Sequence, residues 1–131
     1  MIKTELSSGL EDYLECIYNN IESDGSVKAI QISKIIGVSR ASVTDALQRL
    51  AEKKYIDYER YGTINLTDKG AEKAKEIIRK HRILTVFFEK VLNLKSDEAS
   101  ENACRIEHVI TKSAFNRLKN FTEEFIKKNV N

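Results

Sequence analysis

The sequence predicts a mainly α-helical protein interrupted by one short β-hairpin. Three observations predict it. There is no proline in 131 residues, which suits long helices with short connections. Apolar residues recur at three- and four-residue spacing over most of the chain, and one stretch alone alternates apolar and polar around a glycine.

The first helix is expected from about Ser8 to Glu22, with Leu10, Leu14, Ile17, Tyr18 and Ile21 on its buried face and Ser8 as N-cap, Glu11 completing a capping box. The turn residues Ser23-Asp24-Gly25-Ser26 end it. A short helix follows near Ile30–Ile36 and breaks at Gly37. Ser39 then caps a third helix from Arg40 to about Lys54, buried through Val43, Ala46, Leu47 and Leu50. Two helices joined by a four-residue turn containing glycine make a helix-turn-helix. Residues 56–60 and 63–66 alternate around Tyr61-Gly62, a hairpin placed where a wing belongs. Thr67 caps a long helix from Asp68 to about Leu94, whose stripe is Ala71, Ala74, Ile77, Ile78, His81, Leu84, Phe87, Phe88 and Val91. Ser96 is expected to cap a further helix to about Ile110, and Ser113 the last one, with Phe115, Leu118, Phe121 and Phe125 on one face. The fold class is therefore a winged helix-turn-helix domain over residues 1–75 followed by an all-helical domain over 76–131. Three short helices with this many apolar side chains cannot cover them alone, so a homodimer is expected.

Composition narrows the function classes. The net charge of +2 is uninformative, but its distribution is not. Residues 1–27 carry one Lys against six Asp/Glu, and residues 28–80 carry twelve Lys/Arg against seven. A basic middle after an acidic start suits a nucleic-acid face plus a cation site. No apolar run reaches membrane-spanning length, and no signal-peptide core follows Met1. Two cysteines, Cys16 and Cys104, make a poor disulfide framework, so a cytoplasmic, reducing location is expected. There is no Gly-rich phosphate loop and no nucleophile set of hydrolytic type, so the chain is not expected to be an enzyme or to take a small organic substrate.

The expected partner is double-stranded operator DNA. The helix that would read it begins Ser39-Arg40-Ala41-Ser42-Val43-Thr44-Asp45, a short polar first turn that lets backbone approach base edges in the major groove. Arg40 is the candidate for guanine or phosphate, with Ala41 and Ser42 beside it and Asp45 on the same side as Ser42. Ser39 and Thr44 can donate to phosphates, and Lys34, Arg49 and the wing's Arg60 stand where flanking phosphates would be met.

A second constellation carries metal-ligand chemistry. Asp12 and Glu15 are one helical turn apart. Cys104, Glu107 and His108 stand at i, i+3 and i+4, and His81 falls on the stripe of the long helix. Carboxylate, imidazole and thiol together are the ligand types for first-row divalent metals. Each alone has an ordinary reading: a solvated acidic pair, a core histidine, a core cysteine. Cys16, near the apolar face of the first helix, is read as core.

Residues 11–15 (Glu-Asp-Tyr-Leu-Glu), 80–82 (Lys-His-Arg) and 103–109 (Ala-Cys-Arg-Ile-Glu-His-Val) resemble the diphtheria toxin repressor family of metal-activated regulators, and the likeness extends over nearly the whole chain. The resemblance implies a homodimer that binds operator DNA when manganese(II) or iron(II) is present and represses metal-uptake genes. It places the metal ligands on Asp12, Glu15, His81, Cys104, Glu107 and His108. Asp12 is the manganese-type choice and Cys104 the iron-type choice. The ancillary site of iron-type members falls on Thr85 and Ser100, so that site is expected to be absent or altered. The sequence runs to Asn131, and the SH3-like domain of longer iron-type members is expected to be missing, a layout similar to the shorter manganese regulators. The alternative is a metal-independent winged-helix regulator in which the cluster is a structural or small-molecule site.

Overall fold

The computed structural model describes residues 6–59 and 62–129. Backbone contacts divide the chain into two compact units, one up to Glu76 and one from Ile77.

The first unit is built from α1 (Ser8–Asp24), α2 (Ala29–Ile36), α3 (Arg40–Glu52), β1 (Ile56–Tyr58), β2 (Ile64–Leu66) and the start of α4 (Asp68–Val86). Its core gathers Leu14 and Ile17 of α1, Ile32 of α2, Val43, Leu47 and Leu50 of α3, Ile56 and Ile64 of the strands, and Ala74 of α4. These are the periodic apolar positions of the sequence, and their burial is the main stabilising term of this unit. α2 ends at Gly37, at φ 80°, whose N–H caps the Ser33 carbonyl; a side chain there would strain the left-handed backbone that turns the chain into α3. Ser33 then donates its hydroxyl to the Val38 carbonyl, closing the turn from the other side.

α3 ends two residues earlier than its sequence pattern runs, because Lys54 enters the left-handed region at φ 70° and the Tyr55 N–H returns to the Leu50 carbonyl. The chain then enters β1, which pairs antiparallel with β2 in the register Ile56–Leu66, Asp57–Asn65, Tyr58–Ile64. Each strand alternates buried, exposed, half-buried, which fixes that register. The hairpin tip at residues 60 and 61, and with it the expected phosphate contact of Arg60, lies outside the described residues.

Thr67 caps α4 as expected. Its hydroxyl oxygen accepts from the Gly70 N–H at 3.0 Å and its hydroxyl proton reaches the Lys54 and Tyr55 carbonyls. Lys73 of α4 meets Glu11 of α1 at 3.5 Å.

The second unit contains the remainder of α4, a π-helical turn over Phe87–Val91, α5 (Ser96–Ile106) and α6 (Lys112–Asn129). Leu84, Ala103 and Phe115 form its buried centre, with Ile83, Phe88, Ile106, Ile110 and Leu118 packed around them. The long helix expected to Leu94 is therefore α-helical only to Val86. Beyond it the Leu92 N–H bonds to the Phe87 carbonyl and the chain turns at Asn93, φ 59°, a residue that tolerates that conformation.

Three caps fall beside the expected serines. Ser7, not Ser8, accepts from the Leu10 N–H. Lys95 precedes α5 with no side-chain cap. The Thr111 hydroxyl, not Ser113, accepts from the Ala114 N–H.

Candidate metal centre and nucleic-acid interface

The chemistry of the second unit centres on Glu107. α5 stops at Ile106 rather than at Ile110, and Glu107 is its C-cap, still in right-handed helical conformation with its N–H bonded to the Ala103 carbonyl. This keeps Glu107 one turn from Cys104 while the following residues tighten toward α6 through Val109 and Ile110 N–H bonds to Ile106. Glu107 is buried, 2% exposed, and is with Thr122 one of two buried polar residues among the described ones. A carboxylate removed from water needs partners. Oε1 lies 2.6 Å from Nδ1 of His81, and Oε2 lies 3.5 Å from Nε2 of His108. The two histidines of the chain are thus drawn to opposite oxygens of one carboxylate.

His81 is half-buried on α4 and held at three points. Thr85 donates to its carbonyl at 2.7 Å. Its Nδ1 faces Glu107, and its Nε2 lies 3.2 Å from the Ser100 hydroxyl of α5. Cys104 is exposed on α5, beside the buried Ala103. Asp12 and Glu15 lie on one face of α1 in the first unit, exposed and half-buried respectively. The structure therefore brings His81, Glu107 and His108 together. Among the described residues no group of three or more His, Cys, Asp and Glu side chains is already placed to hold an ion. The donor set nonetheless fits a first-row divalent cation: two imidazoles about a carboxylate, with a thiol one turn away. Sequence spacing pointed to these residues but gave no sign that Glu107 is buried; Thr85 and Ser100, which the resemblance named only as the positions of an absent or altered ancillary site, both contact His81.

Cys16 is buried on α1 and belongs to the first unit's core, as read from its sequence position. Burial, and next the neighbouring Glu15 charge, push its thiol above the ordinary value of 9.0, so it is protonated and unreactive near neutrality.

The face expected to read DNA is presented by α2 and α3. Ser39 is the N-cap of α3, its oxygen accepting from the Ser42 N–H at 3.1 Å and its hydroxyl donating to the Ser42 hydroxyl at 3.0 Å. Arg40, Ala41 and Ser42 are exposed and Thr44 is half-buried. Asp45 and Arg49 are bonded to each other at 2.9 Å on the exposed side of α3, an arrangement worth little in stability but one that holds the Arg49 guanidinium along the helix. Lys34 lies in the last turn of α2, exposed. Arg40 and Thr44 line a groove shared with Thr63 and Asn65 of the hairpin and Lys75 of α4, so the first turn of α3 and the second strand open onto one side of the first unit. No helix of the described residues is long and apolar enough to cross a membrane.

Comparison with known proteins finds two family models, which meet between residues 64 and 67. Residues 5–64 match the family model described as iron dependent repressor, N-terminal DNA binding domain. Residues 67–129 match the one described as iron dependent repressor, metal binding and dimerisation domain. An uncharacterised HTH-type transcriptional regulator of Methanocaldococcus jannaschii is 38% identical over 121 residues, 92% of this chain and 97% of the relative. The HTH-type transcriptional regulator MntR of Oceanobacillus iheyensis is 31% identical over 116 residues, 88% of this chain and 78% of the relative. The solved structure of the manganese regulator SloR superposes with a TM-score of 0.77 at 32% identity, covering 87% of this chain. This chain spans about half the length of that structure, 53%. Through the two family models, which between them take in nearly every residue, the chain belongs to the diphtheria toxin repressor family of metal-dependent, DNA-binding transcriptional regulators.

Proposed function

We propose that this chain represses transcription of metal-uptake genes by binding operator DNA as a homodimer when manganese(II) or iron(II) is bound. The observation that carries the metal half of the reading is Glu107, buried and set between the only two histidines of the sequence. The kinship with manganese regulators supports manganese. The exposed thiol of Cys104 favours iron(II) and later metals, while the carboxylates favour manganese(II).

The ion would be held by His81, Cys104, Glu107 and His108 together with the carboxylates of Asp12 and Glu15. When bound it supplies the positive charge that offsets the carboxylates. Glu107 would be a ligand between the two imidazoles that it already faces, and His81 and His108 would each supply a ring nitrogen. Because Asp12 and Glu15 lie on α1, beside the DNA-reading helices in sequence, their engagement makes operator affinity depend on the metal; a coupling of about 1–3 kcal/mol gives a several-fold to hundredfold response. On DNA, Arg40, Ala41, Ser42, Thr44 and Asp45 meet base edges and nearby phosphates. Ser39, Lys34, Arg49 and Arg60 meet the backbone. Two copies read half-sites one helical turn, about 34 Å, or a multiple apart.

The test is fluorescence anisotropy of a labelled duplex from the upstream region of the gene, run anaerobically at fixed salt with chelator, manganese(II) or iron(II). Tightening of at least about tenfold by either metal is expected, and the better metal decides between the Asp12 and Cys104 preferences. Glu107→Ala should remove the response and leave the chelator baseline unchanged. Equal affinity in all three conditions would sink the metal-dependent reading and favour the metal-independent regulator.

A further inference from the structure

We propose that Ser100 is a positioning residue that commits His81 to binding metal through Nδ1. The inference rests on the reading of His81 and Glu107 as metal ligands and goes beyond it by naming the ring atom used and the residue that selects it.

An imidazole offers a cation either of two nitrogens, and which one it offers is set by what the other bonds to. In this structure the two edges of the His81 ring are already distinguished. Nδ1 lies 2.6 Å from the buried Glu107 carboxylate. Nε2 lies 3.2 Å from the hydroxyl of Ser100, one helical turn before Cys104 on α5. The backbone of His81 is fixed as well, by the Thr85 hydroxyl on its carbonyl, so ring rotation is the freedom left to restrain. A serine hydroxyl both donates and accepts. It bonds Nε2 when that nitrogen is bare and accepts from it when it carries the proton, so the contact survives whichever ring nitrogen is protonated. Metal-bound histidines ordinarily have a partner of this kind on the ring nitrogen that does not touch the metal, and losing it typically costs about 10–100-fold in affinity. With Nε2 turned to Ser100, the Nδ1 edge stands beside Glu107, and one ion can meet both.

The experiment compares the full chain with Ser100→Ala and Ser100→Thr. Alanine is a better helix former than serine, so α5 is preserved, and threonine keeps the hydroxyl. Long-range proton–nitrogen NMR resolves the only two imidazoles of the chain, metal-free and loaded with diamagnetic cadmium(II), and calorimetry gives the cadmium(II) affinity. In the wild type and Ser100→Thr, His81 should coordinate through Nδ1 alone. In Ser100→Ala, the metal-free Nε2 signal should shift, an Nε2-bound form should appear, and affinity should fall about tenfold. Nδ1-only coordination with unchanged affinity in Ser100→Ala would overturn the assignment. So would a Ser100→Thr variant that behaves like Ser100→Ala, since packing rather than the hydroxyl would then be responsible. Failure of the underlying site reading has a separate signature: wild-type cadmium(II) binding by Glu107→Ala.

Discussion

At Gly70 a methyl group would sit 1.8 Å from the Tyr55 carbonyl oxygen, an atom of the backbone that has nowhere to retreat. α4 starts against the end of α3 at this point, with Thr67 bonded to the same carbonyl. Gly70→Ala should therefore lower stability by about 2 kcal/mol or more, although alanine is the better helix former; thermal unfolding measures it, and a neutral or stabilised variant would mean that the contact is not tight. The two cysteines give a second test at this scale. Cys104 is exposed and Cys16 buried, and the raised Cys16 thiol makes the difference larger than access alone. Iodoacetamide at neutral pH should label Cys104 first, with Cys16 modified only as the protein unfolds or the pH is taken well above 9.0. The folded state holds the Cys16 proton more tightly than the unfolded chain. This contribution to stability is therefore complete below the ordinary thiol value and is lost as pH rises beyond it through the raised folded-state value. Equal labelling of the two at neutral pH would contradict the burial.

Among the elements, α3 puts a capping side chain and an exposed one next to each other in its first turn. Ser39 spends its oxygen on the Ser42 N–H, while Arg40 beside it is exposed. Ser39→Ala should cost about 1 kcal/mol of stability through the lost cap. Arg40→Ala should leave the melting temperature in place and weaken operator binding; unchanged DNA affinity would remove Arg40 from the reading set. The elements were legible in sequence where a single strong signal marked them. Ser39, Thr67 and Gly37 each stand alone beside an apolar period, and each does what that position requires. The caps fell one or two residues away where two candidates stood close together, as with Ser7 and Ser8, or Thr111 and Ser113. Either side chain satisfies the sequence pattern, and only the local backbone chooses between them. The π-helical turn at Phe87–Val91 was illegible for a different reason: its apolar residues continue the helical stripe, and the change lies in which carbonyl the Leu92 N–H selects. In the site, spacing brought His81, Glu107 and His108 onto one list. The burial of Glu107 arises from the packing of α5 on its neighbours, a tertiary fact with no local trace.

For the molecule as a whole, the unsolved demand is apolar surface. In the second unit Leu92 is 50% exposed, Val109 72% and Phe121 56%, and Phe121 stacks on Phe125 with ring centroids 6.3 Å apart. Aromatic pairs left in water at this density mark an interface, and the matching family model is named for dimerisation as well as metal binding. A second copy presenting the same face satisfies both facts, since a two-fold interface places each patch against its own counterpart. Phe121→Glu then puts two like charges into that contact, where repulsion adds to lost apolar burial. Light scattering should find the variant monomeric at concentrations where the wild type is a dimer. Its affinity for a two-half-site operator should fall by at least about tenfold, because a monomer forfeits the second half-site, while metal binding within each copy persists because His81, Glu107 and His108 lie in a single chain. A variant that stays dimeric would place the interface elsewhere in the second unit; a monomer that holds the operator as tightly as the wild type would show that the paired recognition helices are not what sets affinity.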